Sequence, residues 1–331
     1  MTDRASNATL SLVKILLIKT EGIRPLLIQE KHLKKIRAVD KRVTVTAVSS
    51  RNKQIIERNL VGADIIAGSP WVIPPIEKTK KLKWIHSFSA GMDKVLTPQV
   101  LKSKIILTNS SGIHAIPIAE HVLAFMLIFT RKFHEAFVNQ KGKIWRKNQD
   151  LTELRDKTVL VVGLGNIGTE VARLANCFGA HVIAIKQDIK NKPDGIHKVY
   201  STNYLEKVLP KADFVVLCLP LTDRTYHLFD MKKFKLMKKS GVIINIGRGP
   251  LIKEADLILA LEKKIIQGAG LDVTEEEPLP KDSHLWDMEN VIITPHHSGW
   301  SEKYMDRAID LFCINLKAYI TNKPIPNLVD K

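Results

Sequence analysis

The chain has 331 residues, enough for roughly two domains, and a balance of 45% hydrophobic to 26% charged residues, as in a soluble globular protein. Its longest apolar run, HVLAFMLIF at 121–129, falls short of the roughly 20 residues a membrane span needs, which argues against a membrane protein. The net charge of +17 comes from dispersed runs (KHLKKIR at 31–37, KTKKLK at 78–83, MKKFKLMKK at 231–239) with little aromatic interleaving and no nucleic-acid-binding motif, so they read as solvated lysine faces that favour anionic small molecules.

The opening MTDRASNATL carries Asp3 and no apolar core, unlike a signal peptide. The first third then alternates short β-branched runs with polar, helix-like segments. KILLIK (14–19), RVTVTAV (42–48), ADIIAG (63–68), KWIHSFS (83–89) and KIILTN (104–109) are predicted strands of a small parallel β/α unit. A helix from about Pro117 to Phe133 is apolar all round, which predicts burial between other elements. The polar stretch 139–156 follows. From Thr158 the alternation resumes, with strands TVLVVG, HVIAI, DFVVLCL (213–219), GVIINIG (241–247), GAGLDV (268–273) and NVIIT (290–294). The segments GTEVARLANCF, YLEKVL, DMKKFKLM and EADLILALEKK between them are helical in pattern, and Asp230 is placed to cap the third. SEKYMDRAIDLFCINLKAYI (301–320) closes the chain as a last helix. The pattern predicts an α/β protein with two doubly wound parallel sheets. Cys177, Cys218 and Cys313 are odd in number, far apart and set in apolar runs. They read as buried free thiols in a reducing cytoplasm, with no zinc spacing among them.

One turn identifies a ligand. In VLVVGLGNIGTEVARLANCFGAHVIAIK (159–186) a buried strand runs into Gly163, Gly165 and Gly168, then a helix and a second strand. Gly163 permits the tight turn, Gly165 lets the backbone approach a pyrophosphate, and Gly168 lets helix and strand pack closely. With Asn166 and Ile167, the helix N-terminus turns free N–H groups toward the phosphates of a dinucleotide. The second strand ends on Lys186. An acid there would accept from a ribose 2′-OH, whereas a cation, with Gln187, Lys190 and Lys192 beside it, favours a 2′-phosphate. NADP(H) is therefore favoured, and NAD(H) stays open because Asp188 supplies an acid if the strand runs two residues longer.

Three later segments, INIGRGPLI (244–252), GLDVTEEEP (270–278) and ITPHHSGWS (293–301), lie near strand C-terminal ends, the edge where open α/β sheets bind ligands. They supply an arginine, a glutamate and a histidine. These segments, with SAGMD (89–93), GIHAIPIAEHVLAFML (112–127), GLGNIG and LCLPLTDRT (217–225), resemble the D-isomer-specific 2-hydroxyacid dehydrogenase family in order and spacing over nearly the whole chain.

The resemblance implies a flavodoxin-like substrate domain, residues 1–114 and 298–331, around an inserted Rossmann-type cofactor domain, residues 115–297. It implies that Arg248 is the substrate arginine, His296 the general acid/base, and Glu277 the acid orienting that histidine. Backbone N–H groups at Ala90 and Gly91, beside Ser89, would hold the substrate carboxylate. Asp272 would bind the nicotinamide carboxamide and Ile118 would pack beside that ring. Leu219, Pro220 and Thr225 would line the adenosine side, with Ile246 and Gly247 completing the cofactor wall. His86, His114 and His121 read as packing or supporting residues. Members of the family are generally homodimers, and the arm carrying Trp145 resembles their dimerisation arm. Trp300 is a second candidate for a pocket wall. Cys218 stands where a histidine is frequent, Thr274 replaces a common aromatic, and Lys186 replaces the usual Asp.

The leading expectation is a cytoplasmic, NADP-preferring reductase of small 2-ketoacids, equivalently a D-2-hydroxyacid dehydrogenase. Two alternatives stand beside it. One is a relative of formate dehydrogenase, against which Glu277 speaks, since an amide would partner the histidine there. The other is a dinucleotide-sensing interaction protein like the corepressors that share this fold.

Overall fold

The structure, a computed structural model, describes residues 12–77, 79–189 and 193–331. The opening MTDRASNATL and the loop lysines Lys190 and Lys192 lie outside the described residues. The chain forms two compact units, 1–113 with 300–331, and 114–299.

The first unit holds strands β1 (Val13–Lys19), β2 (Val43–Ser49), β3 (Ile65–Gly68), β4 (Trp84–Ser87) and β5 (Ile106–Thr108). They pair in parallel in the order β2-β1-β3-β4-β5, the flavodoxin-like arrangement. Helices α1 (Glu30–Arg37), α2 (Lys53–Leu60) and α3 (Pro98–Lys102) connect them. The basic run on α1 folds as expected of an amphipathic helix, with His32, Leu33 and Ile36 buried and its lysines in solvent. The last helix, numbered α10 (Tyr304–Ile320), returns to this unit and seats Ala308, Ile309, Phe312 and Leu316 against Trp84 and Phe88.

The second unit opens with α4 (Ala115–Thr130) and α5 (Phe133–Lys141), followed by β6 (Thr158–Val162), α6 (Asn166–Cys177), β7 (His181–Ile185), β8 (Lys198–Tyr200), α7 (Leu205–Val208), β9 (Phe214–Leu217), α8 (Met231–Leu236), β10 (Val242–Asn245), α9 (Glu254–Glu262), β11 (Gly268–Leu271) and β12 (Val291–Ile293). All seven strands are parallel, in the order β12-β11-β10-β9-β6-β7-β8. The order reverses between β6 and β9, and in open α/β sheets ligands bind beyond the carboxyl ends of the strands at such a reversal.

Three readings from sequence are corrected. The apolar helix runs 115–130 and not 117–133, because Lys132 takes a left-handed backbone (φ 53°) and starts α5 in a new direction. Lys132 is held there by Asp150 and Glu135. YLEKVL is a single helical turn flanked by 3-10 turns. The cysteines are free, but Cys177 is exposed, and Cys218 and Cys313 are only partly buried. The buried stripe of α6 is Gly168, Val171, Ala172 and Ala175, and Cys177 falls off that helical spacing. The short strand β8 was hidden in HKVY, three residues long and mostly polar.

Asp230 caps α8 through its side chain, which accepts from the Lys233 N–H at 3.1 Å. Asp230→Ala should lower stability by about 1 kcal/mol in denaturant unfolding, with the cofactor site intact.

Candidate active site

The glycine turn follows β6 directly. Gly163 has φ +100°, and a Cβ there would meet the Cys218 carbonyl oxygen at 2.7 Å. A Cβ on Gly168 would meet the Gly163 carbonyl oxygen at 2.0 Å, so the strand and α6 can cross this closely only without side chains. Gly165 is the N-cap of α6, and nothing lies within 4 Å of the position its Cβ would take. Asn166 and Ile167 form the first turn of that helix. An open approach to a helix N-terminus, between two obligatory glycines, fits a dinucleotide pyrophosphate.

Lys186 is the first residue beyond β7, and its N–H continues the ladder to the Tyr200 carbonyl at 3.0 Å. Gln187 and Asp188 follow on the surface. Beyond β9, Leu219 contacts both glycine turns: its side chain lies against Gly163 and its carbonyl against Gly247. The Thr225 hydroxyl donates to the Pro220 carbonyl at 2.8 Å, closing the loop that holds both residues. Ile118 is buried near the start of α4.

Arg248, Glu277 and His296 follow β10, β11 and β12 in turn, so one sheet edge presents all three. Asn245 ends β10 and orders the arginine loop. Its amide donates to the Arg248 carbonyl at 2.9 Å, and its oxygen accepts from the Gly247 N–H at 3.1 Å. Ile246 and Gly247 are buried beneath it. Gly249 lets this loop press against the next, since a Cβ there would sit 1.8 Å from the Thr274 carbonyl oxygen. In that neighbouring loop the Thr274 hydroxyl donates to the Glu276 carbonyl at 2.7 Å, and the Thr274 N–H reaches Glu277 Oε1 at 3.4 Å.

Glu277 Oε2 then lies 2.7 Å from His296 Nδ1. This bond is the main cause of a His296 pKa raised above the ordinary imidazole value. Desolvation opposes it, the Glu277 and Asp272 charges add to it, and the Arg248 charge works against it. With Nδ1–H donated to Glu277, Nε2 is the nitrogen left to exchange a proton with a ligand. The side chain of His296 remains half exposed, so that nitrogen can be reached.

His296 itself has φ +49°, a left-handed backbone that costs a non-glycine residue about 1 kcal/mol or more. Asp272, fully buried, receives the turn. Its carboxylate accepts from the Thr294 hydroxyl at 2.6 Å and from the N–H groups of His297 and Ser298. His121, on α4, places Nε2 3.0 Å from the Thr294 hydroxyl, and burial holds its pKa below the ordinary value. The ligand atoms of His121, Asp272 and His297 lie within 4.8 Å of one another, and the Thr294 hydroxyl bridges the first two.

In the other unit, Ser89, Ala90 and Gly91 follow β4. The Ser89 N–H donates to Ser87 Oγ at 3.1 Å, and the Asn109 amide donates to the Ala90 carbonyl at 2.9 Å. His86 lies wholly inside, bonded to Thr108 at 2.7 Å, and burial pushes its pKa down to about 3. Sequence reasoning missed Asn245, Thr294 and Ser298. Asn245 alone had a usable signal: an amide in the apolar run GVIINIG.

A glycine cradle at a helix N-terminus and an ion-paired imidazole beside an arginine, all on one edge of a parallel sheet, define a dinucleotide-dependent oxidoreductase. Residues 123–298 match the family model for the D-isomer specific 2-hydroxyacid dehydrogenase, NAD binding domain. A glyoxylate reductase of Korarchaeum cryptofilum is 32% identical over 263 residues, covering 77% of this chain and 78% of that protein. A D-isomer specific 2-hydroxyacid dehydrogenase family protein from Aeromonas salmonicida superposes with a TM-score of 0.84 at 30% identity, over 96% of this chain and 99% of that one. An NADPH-dependent glyoxylate/hydroxypyruvate reductase from Sinorhizobium meliloti, solved with NADP and sulfate, gives 0.80 at 26% identity, over 96% and 98%. The chain belongs to the D-isomer-specific 2-hydroxyacid dehydrogenase family. It is a nicotinamide-dependent oxidoreductase that exchanges a hydride between its cofactor and a 2-hydroxyacid.

The raised pKa of His296 keeps the imidazole protonated to higher pH than a free histidine. Removing the carboxylate reverses the sign of that effect. In Glu277→Gln, the His296 resonances in an NMR pH titration should move at lower pH than in the parent protein. An unchanged midpoint would mean that Glu277 does not set the charge of the imidazole.

Proposed function

We propose that the protein reduces small 2-ketoacids, glyoxylate or hydroxypyruvate among them, with NADPH preferred over NADH, and that it runs as a D-2-hydroxyacid dehydrogenase in reverse. The observation that carries this reading is the 2.7 Å contact between His296 and Glu277 on the sheet edge that also presents Arg248. The names of the Korarchaeum and Sinorhizobium relatives support the substrate class.

A bound nicotinamide supplies the hydride. Arg248 grips the substrate carboxylate and polarises the adjacent keto oxygen through its planar guanidinium. His296, protonated and steadied by Glu277, donates its Nε2 proton to that oxygen as the alcohol forms, and recovers it as a base in the reverse direction. Ser89 and the backbone N–H groups of Ala90 and Gly91 are assigned to the carboxylate. Asp272 is assigned to the nicotinamide carboxamide, with Ile118 packing beside the ring. A formate dehydrogenase reading gives Glu277 no work, because formate oxidation at carbon requires no proton transfer through His296.

The cofactor preference rests on Lys186. A cation at the tip of the second Rossmann strand attracts a ribose 2′-phosphate, and Gln187 adds a hydrogen-bonding group. That the Sinorhizobium relative was solved with NADP supports the same preference. We further read the chain as a cytoplasmic homodimer. Phe133, Phe137 and Val138 on α5 are exposed, as are Ile144 and Trp145 on the arm that follows, and Trp145 is 95% exposed. Such an apolar strip is costly to leave in water.

Initial rates with NADPH and NADH across a panel of small 2-ketoacids test the function directly. Tight cofactor binding without turnover would instead favour a dinucleotide sensor. Arg248→Ala should lower kcat/KM by about 100-fold or more while cofactor binding persists. Lys186→Asp should weaken NADPH by about 1.5–3 kcal/mol and leave NADH far less affected. Equal losses for both cofactors would show that Lys186 does not face the 2′ position.

A further inference from the structure

Three consecutive backbone N–H groups converge on one residue. His296 N–H donates to the Asp272 carbonyl at 2.8 Å, and also to the Thr294 carbonyl at 3.0 Å. His297 N–H donates to Asp272 Oδ1 at 3.0 Å. Ser298 N–H is shared between Oδ1 and Oδ2, at 3.2 and 3.1 Å. Thr294 closes the ring from the other side of the turn, 2.6 Å from Oδ1. An ionised carboxylate only accepts, so the Thr294 hydroxyl proton points at Asp272. The same hydroxyl oxygen is then free to accept from His121 Nε2 at 3.0 Å, which requires the Nε2–H tautomer of that partly buried ring.

The result is a relay from α4 through the end of β12 to the end of β11, with the His296 backbone in its middle. His296 combines a left-handed backbone with an imidazole bonded to Glu277, and an uncaptured turn would relax to a commoner conformation. A merely strand-capping role would need one of these bonds, not a residue whose carboxylate collects two successive N–H groups and a hydroxyl while its carbonyl takes the N–H of His296. Oδ2 accepts a single N–H among the described residues, so the carboxylate keeps capacity for a further donor.

We propose that Asp272 and Thr294 are positioning residues for the acid/base histidine: the carboxylate, locked by the threonine hydroxyl, holds the turn that aims His296. His121 is the outer support of this lock. The inference rests on the reading of His296 as the proton donor. The charged and titratable groups around the imidazole are Glu277, Arg248 and Asp272, with His121 and His297 edge-to-face beside that last carboxylate.

Thr294→Val removes the hydroxyl and keeps the branched shape suited to a strand end. It should lower kcat about tenfold, in line with the cost of slight misplacement of a catalytic group. The basic limb of its reductive pH profile should move to lower pH as the His296–Glu277 contact loosens. Thr294→Ser, which restores the hydroxyl, should recover both kcat and the limb. Asp272→Asn, with one accepting oxygen in place of two, should shift the limb in the same direction. Wild-type kcat with an unmoved limb in Thr294→Val would overturn the proposal. His296→Gln separates the two levels. If that variant is inactive while Thr294→Val behaves as wild type, only the positioning role fails. If it retains full turnover, the acid/base reading fails and the positioning role with it.

Discussion

The parallel ladder of the second unit is the constraint from which its chemistry follows. When β6, β9, β10, β11 and β12 all run the same way, the loops after them emerge along one edge. The glycine turn, the Cys218–Pro220 segment, Arg248, Glu277 and His296 are each a few residues beyond a strand end. An antiparallel neighbour would send every second loop to the opposite edge and scatter the set. The small residues of GAGL support the same ladder, because the rings of Phe125 and Phe129 on α4 lie almost against Gly270 and Gly268. The helix can therefore cover the face of the sheet and still deliver His121 to the end of β12.

On that edge, electrostatics divides the labour. Glu277 favours the charged imidazole, and Arg248 opposes it. The stronger partner is the one in direct hydrogen-bond contact, so the net effect favours imidazolium. Asp272 lies close enough to add to that effect, yet its own oxygens are engaged by the Thr294 hydroxyl and by main-chain N–H groups. The buried carboxylate is thus tied to the turn while the exposed one is bonded to the imidazole. Burial explains the split: a carboxylate taken out of water must be satisfied by donors nearby, and here the turn after β12 provides them.

Much of this was legible without coordinates. The alternation of apolar runs and helical patterns foretold two doubly wound sheets, since burial on both faces requires near-continuous β-branched strands. GLGNIG, Asp230 and the strand that stops just before Lys186 were readable to within a residue because turn, cap and strand chemistry are local. Less was legible where a residue's role depends on distant partners. Cys177 looked buried because its neighbours in sequence are apolar, but helical spacing put it outside. The break after Thr130 was invisible because nothing in FTRKF forbids a helix; Asp150 and Glu135 draw Lys132 into a left-handed turn. Thr294 and Ser298 carried no pattern of their own.

By itself the sequence determined the fold class, the dinucleotide turn and the residue types on offer for chemistry, because each depends on neighbours within a few positions of the chain. Tertiary structure alone decided that Thr294 lies between His121 and Asp272, that Gly249 brings the Arg248 loop against Thr274, and that Glu277 takes Nδ1 of His296. Those contacts join segments separated by tens to more than a hundred residues, and their distances are set by how strands stack side by side, a quantity that no local stretch of chain encodes.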